Sequence, residues 1–277
     1  MEYVTAADGL RLAYRDQGRG RALLCLPGLT RNMEDFEPVL DAFGDRARII
    51  RMDFRGRGSS DFGDPATYQI PQEAADVLAL LDHLGLEKTA ILGTSRGGLV
   101  ALVLAAMAPD RLSGVIFNDI GPEIMPQGLA YIMDYLGRPP RFASLAEAAA
   151  ALPAHYAPAF QDVPDATWAA FARRVYREEG GRLHLRYDPR LREAVAPAFE
   201  PGAVAPDLWP LFDALAGKPL GLIRGAASNL LSADTAAEMR RRRPDMAFAD
   251  IAKRGHVPFL DEPQAIDVIA AVLEKLE

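Results

Sequence analysis

The sequence predicts a three-layer α/β fold, with a mostly parallel eight-stranded sheet flanked by helices and an inserted helical cap, and three observations carry that reading. Eight short runs of β-branched or leucine-rich residues, each bounded by turn residues, recur along the 277 residues. From Leu23 onward these runs alternate with stretches whose apolar residues return every three or four positions, the alternation that right-handed crossovers require. Finally, a composition of 49% apolar and 25% charged residues is enough to bury a sizeable core.

Taken in order, residues 4–6 and 10–14 flank Asp8 and Gly9 and read as an antiparallel hairpin at one sheet edge. Residues 23–26, 48–52, 89–92, 115–117, 220–223 and 247–251 read as the remaining strands, and residues 72–84, 95–108, 233–242 and 264–276 as the covering helices. The rhythm breaks between residues 121 and 209, where no convincing strand appears and alanine, proline and aromatic residues crowd together. Helices are expected there at 127–137, 145–152, 166–179 and 189–196, punctuated by prolines that include Pro139, Pro140, Pro153 and Pro201. The chain therefore divides into a core of residues 1–121 and 209–277 and a cap of residues 122–208. Such an insertion follows the C-terminal end of a strand, where α/β proteins build their sites, and it reads as a lid.

The charge balance excludes several classes of partner. With 31 Lys and Arg against 38 Asp and Glu, a formal charge of −7 offers no net attraction to nucleic acid or to an anionic membrane surface. A single cysteine, Cys25, closes no intrachain disulfide. The polar N-terminus and a longest apolar run of only ten residues, Leu99 to Ala108, lack the pattern of a signal or spanning segment. The expectation is a cytoplasmic protein that acts on a small molecule.

Chemistry enters at Gly93-Thr94-Ser95-Arg96-Gly97, a G-x-S-x-G sequence that follows the strand at 89–92 and opens the helix at 95–108. That turn is so sharp that only glycine fits two positions either side of the serine, and it leaves the hydroxyl projecting alone. A serine hydroxyl needs a base, and the chain has four histidines. His83 ends a helix, where the dipole favours it, and His155 and His184 lie in the insertion. His256, in Arg254-Gly255-His256-Val257-Pro258 between the last strand and last helix, reaches the same sheet edge as Ser95.

With these features the chain resembles the α/β-hydrolase fold superfamily over essentially its whole length, in particular its serine-nucleophile esterases and lactonases with a helical cap. The matching residues are Leu26-Pro27-Gly28-Leu29, Asp53-Phe54-Arg55-Gly56-Arg57-Gly58-Ser59-Ser60, the serine turn and Gly255-His256. The resemblance implies an oxyanion hole made of the Leu29 and Arg96 backbone N–H groups, with Arg31 and Asn32 near the pocket and Arg55 and Arg57 bracing loops. It implies hydrolysis of a carboxylic ester or lactone through an acyl-enzyme on Ser95, with His256 shuttling the proton and no metal or organic cofactor required. Carbon–carbon, thioester or amide hydrolysis in the same fold stays open, as does a weakly catalytic binding protein. An apolar stripe that includes Ile124, Tyr131 and Trp168 suits a substrate-facing side of the cap and a partly apolar substrate, while such stripes more often simply pack cap against core; the same residues would serve a homodimer contact.

The acid is the point of departure from the pattern. Relatives carry an aspartate after the seventh strand, where this chain has Asn229 in Ala227-Ser228-Asn229-Leu230. An asparagine there would leave Ser95 and His256 positioned but weakened, and this attenuated acid is the favoured reading. Asp119, just beyond the sixth strand, is the alternative, since some members of the superfamily supply the acid from that position. Asp234 is more simply a residue of the first turn of a helix capped by Ser232.

Overall fold

A computed structural model describes residues 1–199 and 206–276, so Pro201 and the last residue of the core span lie outside the described residues. Eight strands form one sheet: β1 (Glu2–Thr5), β2 (Arg11–Gly18), β3 (Arg21–Leu26), β4 (Ala47–Met52), β5 (Thr89–Thr94), β6 (Leu112–Asn118), β9 (Leu220–Gly225) and β10 (Ala247–Ile251). Their spatial order is β1-β2-β4-β3-β5-β6-β9-β10. β2 runs antiparallel to β1 and to β4, and every other pairing is parallel.

Alternation along the strands separates two cores. Leu24 and Leu26 of β3, Ile91 of β5 and Phe117 of β6 face one side, where they pack with α2 (Ile70–His83), α3 (Arg96–Met107) and α9 (Ala233–Arg242). Leu23 and Cys25 of β3, Leu92 of β5 and Ile116 of β6 face the other, against α1 (Glu37–Phe43) and α10 (Pro263–Leu273). The central strands are buried on both sides, which is why they read as continuous apolar runs rather than alternating ones.

Between β6 and β9 the chain forms α4 (Pro126–Tyr135), α5 (Leu145–Tyr156), α6 (Asp165–Val175), α7 (Leu191–Val195) and, after the undescribed residues 200–205, α8 (Trp209–Asp213). One expectation fails here. The helix expected at 166–179 stops at Val175, and the chain turns into an antiparallel hairpin of β7 (Tyr176–Glu179) and β8 (Arg182–Leu185). Gly180 and Gly181 sit at φ 58° and 72°, the positive values that a two-residue hairpin turn needs at both positions. α5, α6 and the hairpin share a small core in which Trp168 stacks on Tyr156, with ring centroids 5.6 Å apart, and meets Phe259 edge-on from the loop after β10.

Candidate active site

Ser95 occupies the turn between β5 and α3 with φ 50° and ψ −113°, a conformation that L-residues rarely hold. The neighbouring glycines explain how the turn closes. A Cβ on Gly93 would lie 2.5 Å from the Gly97 carbonyl carbon, and one on Gly97 would lie 2.2 Å from the Leu26 carbonyl oxygen. Close backbone crossing at both positions therefore admits no side chain. The Ser95 N–H is tied to the Asn118 carbonyl at 3.0 Å, so β6 fixes the turn from one side.

His256 Nε2 stands 3.0 Å from Ser95 Oγ, and its Nδ1 stands 2.7 Å from Asp119 Oδ2. Three groups from the loops after β5, β6 and β10 thus converge at the C-terminal sheet edge. Asp119 is wholly buried and saturated: Oδ1 accepts from the Gly225 N–H at 2.8 Å, while Oδ2 also accepts from Ser228 Oγ at 2.6 Å. These fixed donors set the carboxylate plane, and the carboxylate in turn sets the ring. The preference for Asn229 as the ring's partner is corrected by this arrangement. Asn229 is exposed and makes no hydrogen bond to His256, because Ser228, one position earlier, is the residue that turns inward onto Asp119. His83 meets Tyr14 at 3.1 Å and His184 lies on the exposed hairpin, while His155 lines the same cavity as Ser95 but meets Tyr131 at 2.9 Å, so among the described residues only His256 is bonded to Ser95.

Leu29 lies in the loop after β3, and Arg96 is the first residue of α3, whose N–H has no partner within the helix. Neither N–H meets an acceptor among the described residues. Both residues are held by one buried network centred on Glu73 of α2. Arg96 Nε donates to Glu73 Oε2 at 2.6 Å, Arg57 Nη1 lies 2.9 Å from Glu73 Oε1, and Arg57 Nε donates to the Leu29 carbonyl at 2.9 Å. Burial pushes the Arg57 guanidinium down to about 10 against the pull of Glu73. Arg55 is bound to Asp76 at 2.6 Å on both forks and braces the same loop.

A cavity of about 680 Å³ opens on Ser95 and His256, walled by Tyr131, Ile132, Tyr156, Phe160 and Phe171 among others. Burial pushes the phenol of Tyr156, on its wall, above the ordinary range, so it remains protonated. Arg31 and Tyr131 line this space as expected. Three other expected contacts do not. Asn32 is 1% exposed, caps the turn that begins at Met33, and donates to the Arg174 carbonyl at 2.7 Å, tying the β3 loop to α6. Ile124 packs into the main core, and Trp168 is buried behind the cavity wall among Tyr156, Phe160 and Phe171.

Comparison with known proteins gives the family. Residues 21–263 match the family described as the alpha/beta hydrolase fold. The chain belongs to that family. Among relatives of this α/β hydrolase, a 3-hydroxybutyrate-oligomer hydrolase from Cupriavidus necator is 34% identical over 97% of this chain and 94% of its own length. A 2-(acetamidomethylene)succinate hydrolase from Mesorhizobium japonicum is 28% identical over 89% of this chain and 85% of its own. An alpha/beta hydrolase from Novosphingobium aromaticivorans superposes with a TM-score of 0.92 at 40% identity, covering 99% of this chain and 98% of that one. This chain is a hydrolase, with esterases among its relatives.

Three participants of the site, Glu73, Asp76 and Ser228, escaped the reading of the sequence, and each had left a trace. Glu73 and Asp76 fall in register with Val77 and Leu80 on α2, so two acids stand on the stripe that faces the core, a placement that demands buried cations. Ser228 left a weaker trace, a small hydroxyl residue just after a buried strand. In this α/β hydrolase no helix of the described residues is long and apolar enough to cross a membrane.

Proposed function

We propose that the protein is a serine hydrolase that cleaves a carboxylic ester or lactone through an acyl-enzyme, with Ser95 as nucleophile, His256 as general base and acid, and Asp119 as the orienting carboxylate. The observation that carries the reading is the continuous chain of contacts from Ser95 Oγ through His256 to Asp119, at 3.0 Å and 2.7 Å. Ser95 Oγ adds to the carbonyl carbon as Nε2 takes its proton, and the carbonyl oxygen becomes an oxyanion facing the Leu29 and Arg96 N–H groups. Collapse expels the alcohol, which receives the proton from His256. Water then adds to the acyl-enzyme by the same route and frees the acid. Neither step calls for a metal or an organic cofactor. A carboxylate on Nδ1 stabilises the transient imidazolium, so the reading no longer needs the attenuation that Asn229 suggested.

Residues 122–208 act in this proposal as a cap that roofs the cavity and excludes water, and the small-molecule substrate enters beneath it. The Cupriavidus relative at 34% identity, named a 3-hydroxybutyrate-oligomer hydrolase, supports an ester of a short hydroxy acid as the substrate of this chain. The net charge and the single cysteine, buried in the structure, suit a cytoplasmic location. Steady-state hydrolysis of p-nitrophenyl butyrate by the protein and by Ser95→Ala tests the core of the reading, together with mass spectrometry after an organophosphonate. A single adduct on Ser95 and loss of at least about 10³-fold in turnover are expected. Undiminished hydrolysis by Ser95→Ala would remove it.

A further inference from the structure

We propose that Arg31 anchors a carboxylate carried by the substrate, so that the site selects anionic esters whose free acid group lies a few bonds from the scissile carbonyl. The inference rests on the reading of Ser95 as the nucleophile and adds the class of molecule that Ser95 meets.

Arg31 is built as a receptor rather than as a surface cation. Its Nε and Nη2 donate to the two oxygens of Asp35 at 2.7 Å and 2.6 Å, which fixes the plane of the guanidinium along one edge. Its Cζ lies 4.2 Å from the centroid of the Phe171 ring, which fixes one face. Burial alone would lower its pKa, but Asp35 outweighs that and holds it above the ordinary value, so the charge is permanent. The third nitrogen, Nη1, donates to no group among the described residues, while the side chain lines the cavity that opens on Ser95. The stem of Arg31 starts beside the turn that carries Ser95: a point at the Cβ position of Gly28 lies 3.3 Å from Arg31 Cγ and 3.7 Å from Ser95 Cβ.

The charge around the cavity points the same way. The protein as a whole carries −7, yet Arg31, Arg138 and Arg141 line this space against Asp134 on the wall and Asp35 on the far edge of Arg31, so cations outnumber acids there. Arg138 and Arg141 are exposed and line the wall as cations. Such a field concentrates anionic substrates, and one fixed Nη1 among aromatic walls suits a single planar monoanion better than a phosphate dianion, which needs more donors. A linear ester of two hydroxy acids, with its terminal carboxylate, has this chemistry.

The test compares kcat/KM, read as cleavage of the ester between the two hydroxy acids, for the linear dimer of 3-hydroxybutyrate and for the methyl ester of the same dimer, in which a methyl group replaces the charge. The protein is expected to favour the free acid by about 10- to 100-fold, and Arg31→Gln to bring the ratio close to one, mainly through KM. A ratio at or below one in the unaltered protein, or a ratio that survives Arg31→Gln, overturns the inference. Should Arg31→Gln misfold, calorimetric titration of Ser95→Ala with 3-hydroxybutyrate and with methyl 3-hydroxybutyrate reads the same anchor without turnover. Binding of the acid alone supports it, and equal binding of both overturns it. Failure of the nucleophile assignment has a different signature, hydrolysis persisting in Ser95→Ala, and the acid-to-methyl-ester ratio still reads Arg31 in that case.

Discussion

Replacement of Asp119 by asparagine changes one atom at the centre of the site, and its cost follows from the donors around it. In the native carboxylate, Oδ1 accepts from the Gly225 backbone and Oδ2 accepts from Ser228 Oγ and from His256 Nδ1. An asparagine has one oxygen for these three donors. Placing its NH2 against the Gly225 N–H would oppose two donors at a rigid strand end, at about 1–3 kcal/mol, so the oxygen stays there and the NH2 faces the ring. The imidazole then carries its proton on Nε2, which stands 3.0 Å from Ser95 Oγ and now donates where it must accept. The equivalent exchange in a serine protease lowers turnover by about 10⁴, or about 5.5 kcal/mol at the transition state. Hydrolysis of p-nitrophenyl butyrate by Asp119→Asn should therefore fall by about 10³- to 10⁴-fold with little change in thermal melting. Asn229→Asp, at an exposed position without a bond to the ring, should stay within about threefold of the unaltered protein. If Asp119→Asn keeps more than a tenth of the activity while Asn229→Asp gains an order of magnitude, the assignment of the carboxylate is wrong.

Other parts of the molecule make separate predictions. Glu73→Gln removes the one carboxylate between Arg57 and Arg96, leaving two buried guanidinium groups uncompensated. Urea denaturation should show a loss of about 3–5 kcal/mol, and a loss under 1 kcal/mol would mean that water or rearrangement satisfies both cations. Gly97→Ala puts a Cβ 2.2 Å from the Leu26 carbonyl oxygen, a backbone atom that cannot swing aside. Its expected cost is at least about 3 kcal/mol, read as a lowered melting temperature or loss of soluble protein, and a variant melting within 2 °C of the unaltered protein would count against the close crossing. Burial raises Asp53 from an ordinary 3.8 to about 7, against its bonds from the Ser59 and Met33 N–H groups. Because the folded pKa lies above the unfolded one, the native state holds more protons between those values, so Asp53 makes stability decline as pH climbs from about 4 to about 7. Chemical denaturation at pH 5 and pH 8 should show that decline reduced in Asp53→Asn, and equal declines in the two proteins would refute the shift.

What could be read from the sequence, and what could not, divides along the range of the forces involved. β5, the turn at Ser95 and α3 were legible because each depends on neighbours within a few residues: a buried strand, two glycines where backbones cross, and an apolar helix. His256 was legible because only one histidine stands between the last strand and the last helix. The partner of its ring was not, since it depends on which way the loop after β9 turns. Ser228 and Asn229 are adjacent, and a change of one residue in that turn would exchange the inward and outward side chains. Asp119 wins because Gly225, Ser228 and the ring already converge on it, a fact of three loops and not of any one segment. The same reasoning accounts for Trp168, whose large apolar ring was read as facing substrate. An insertion of this size must bury a core of its own, and Tyr156, Phe160, Phe171 and Phe259 take up the ring for that purpose. At the hairpin a local signal was present and outweighed. Alanines and arginines at 169–174 favour helix through that stretch, but Gly180-Gly181 sets a turn whose twist pairs Tyr176–Glu179 with Arg182–Leu185. That pairing leads the chain back to Arg186, whose guanidinium grips Glu34 beside the β3 loop, so the hairpin also ties the segment between β6 and β9 to the loop that carries Leu29 and Arg31.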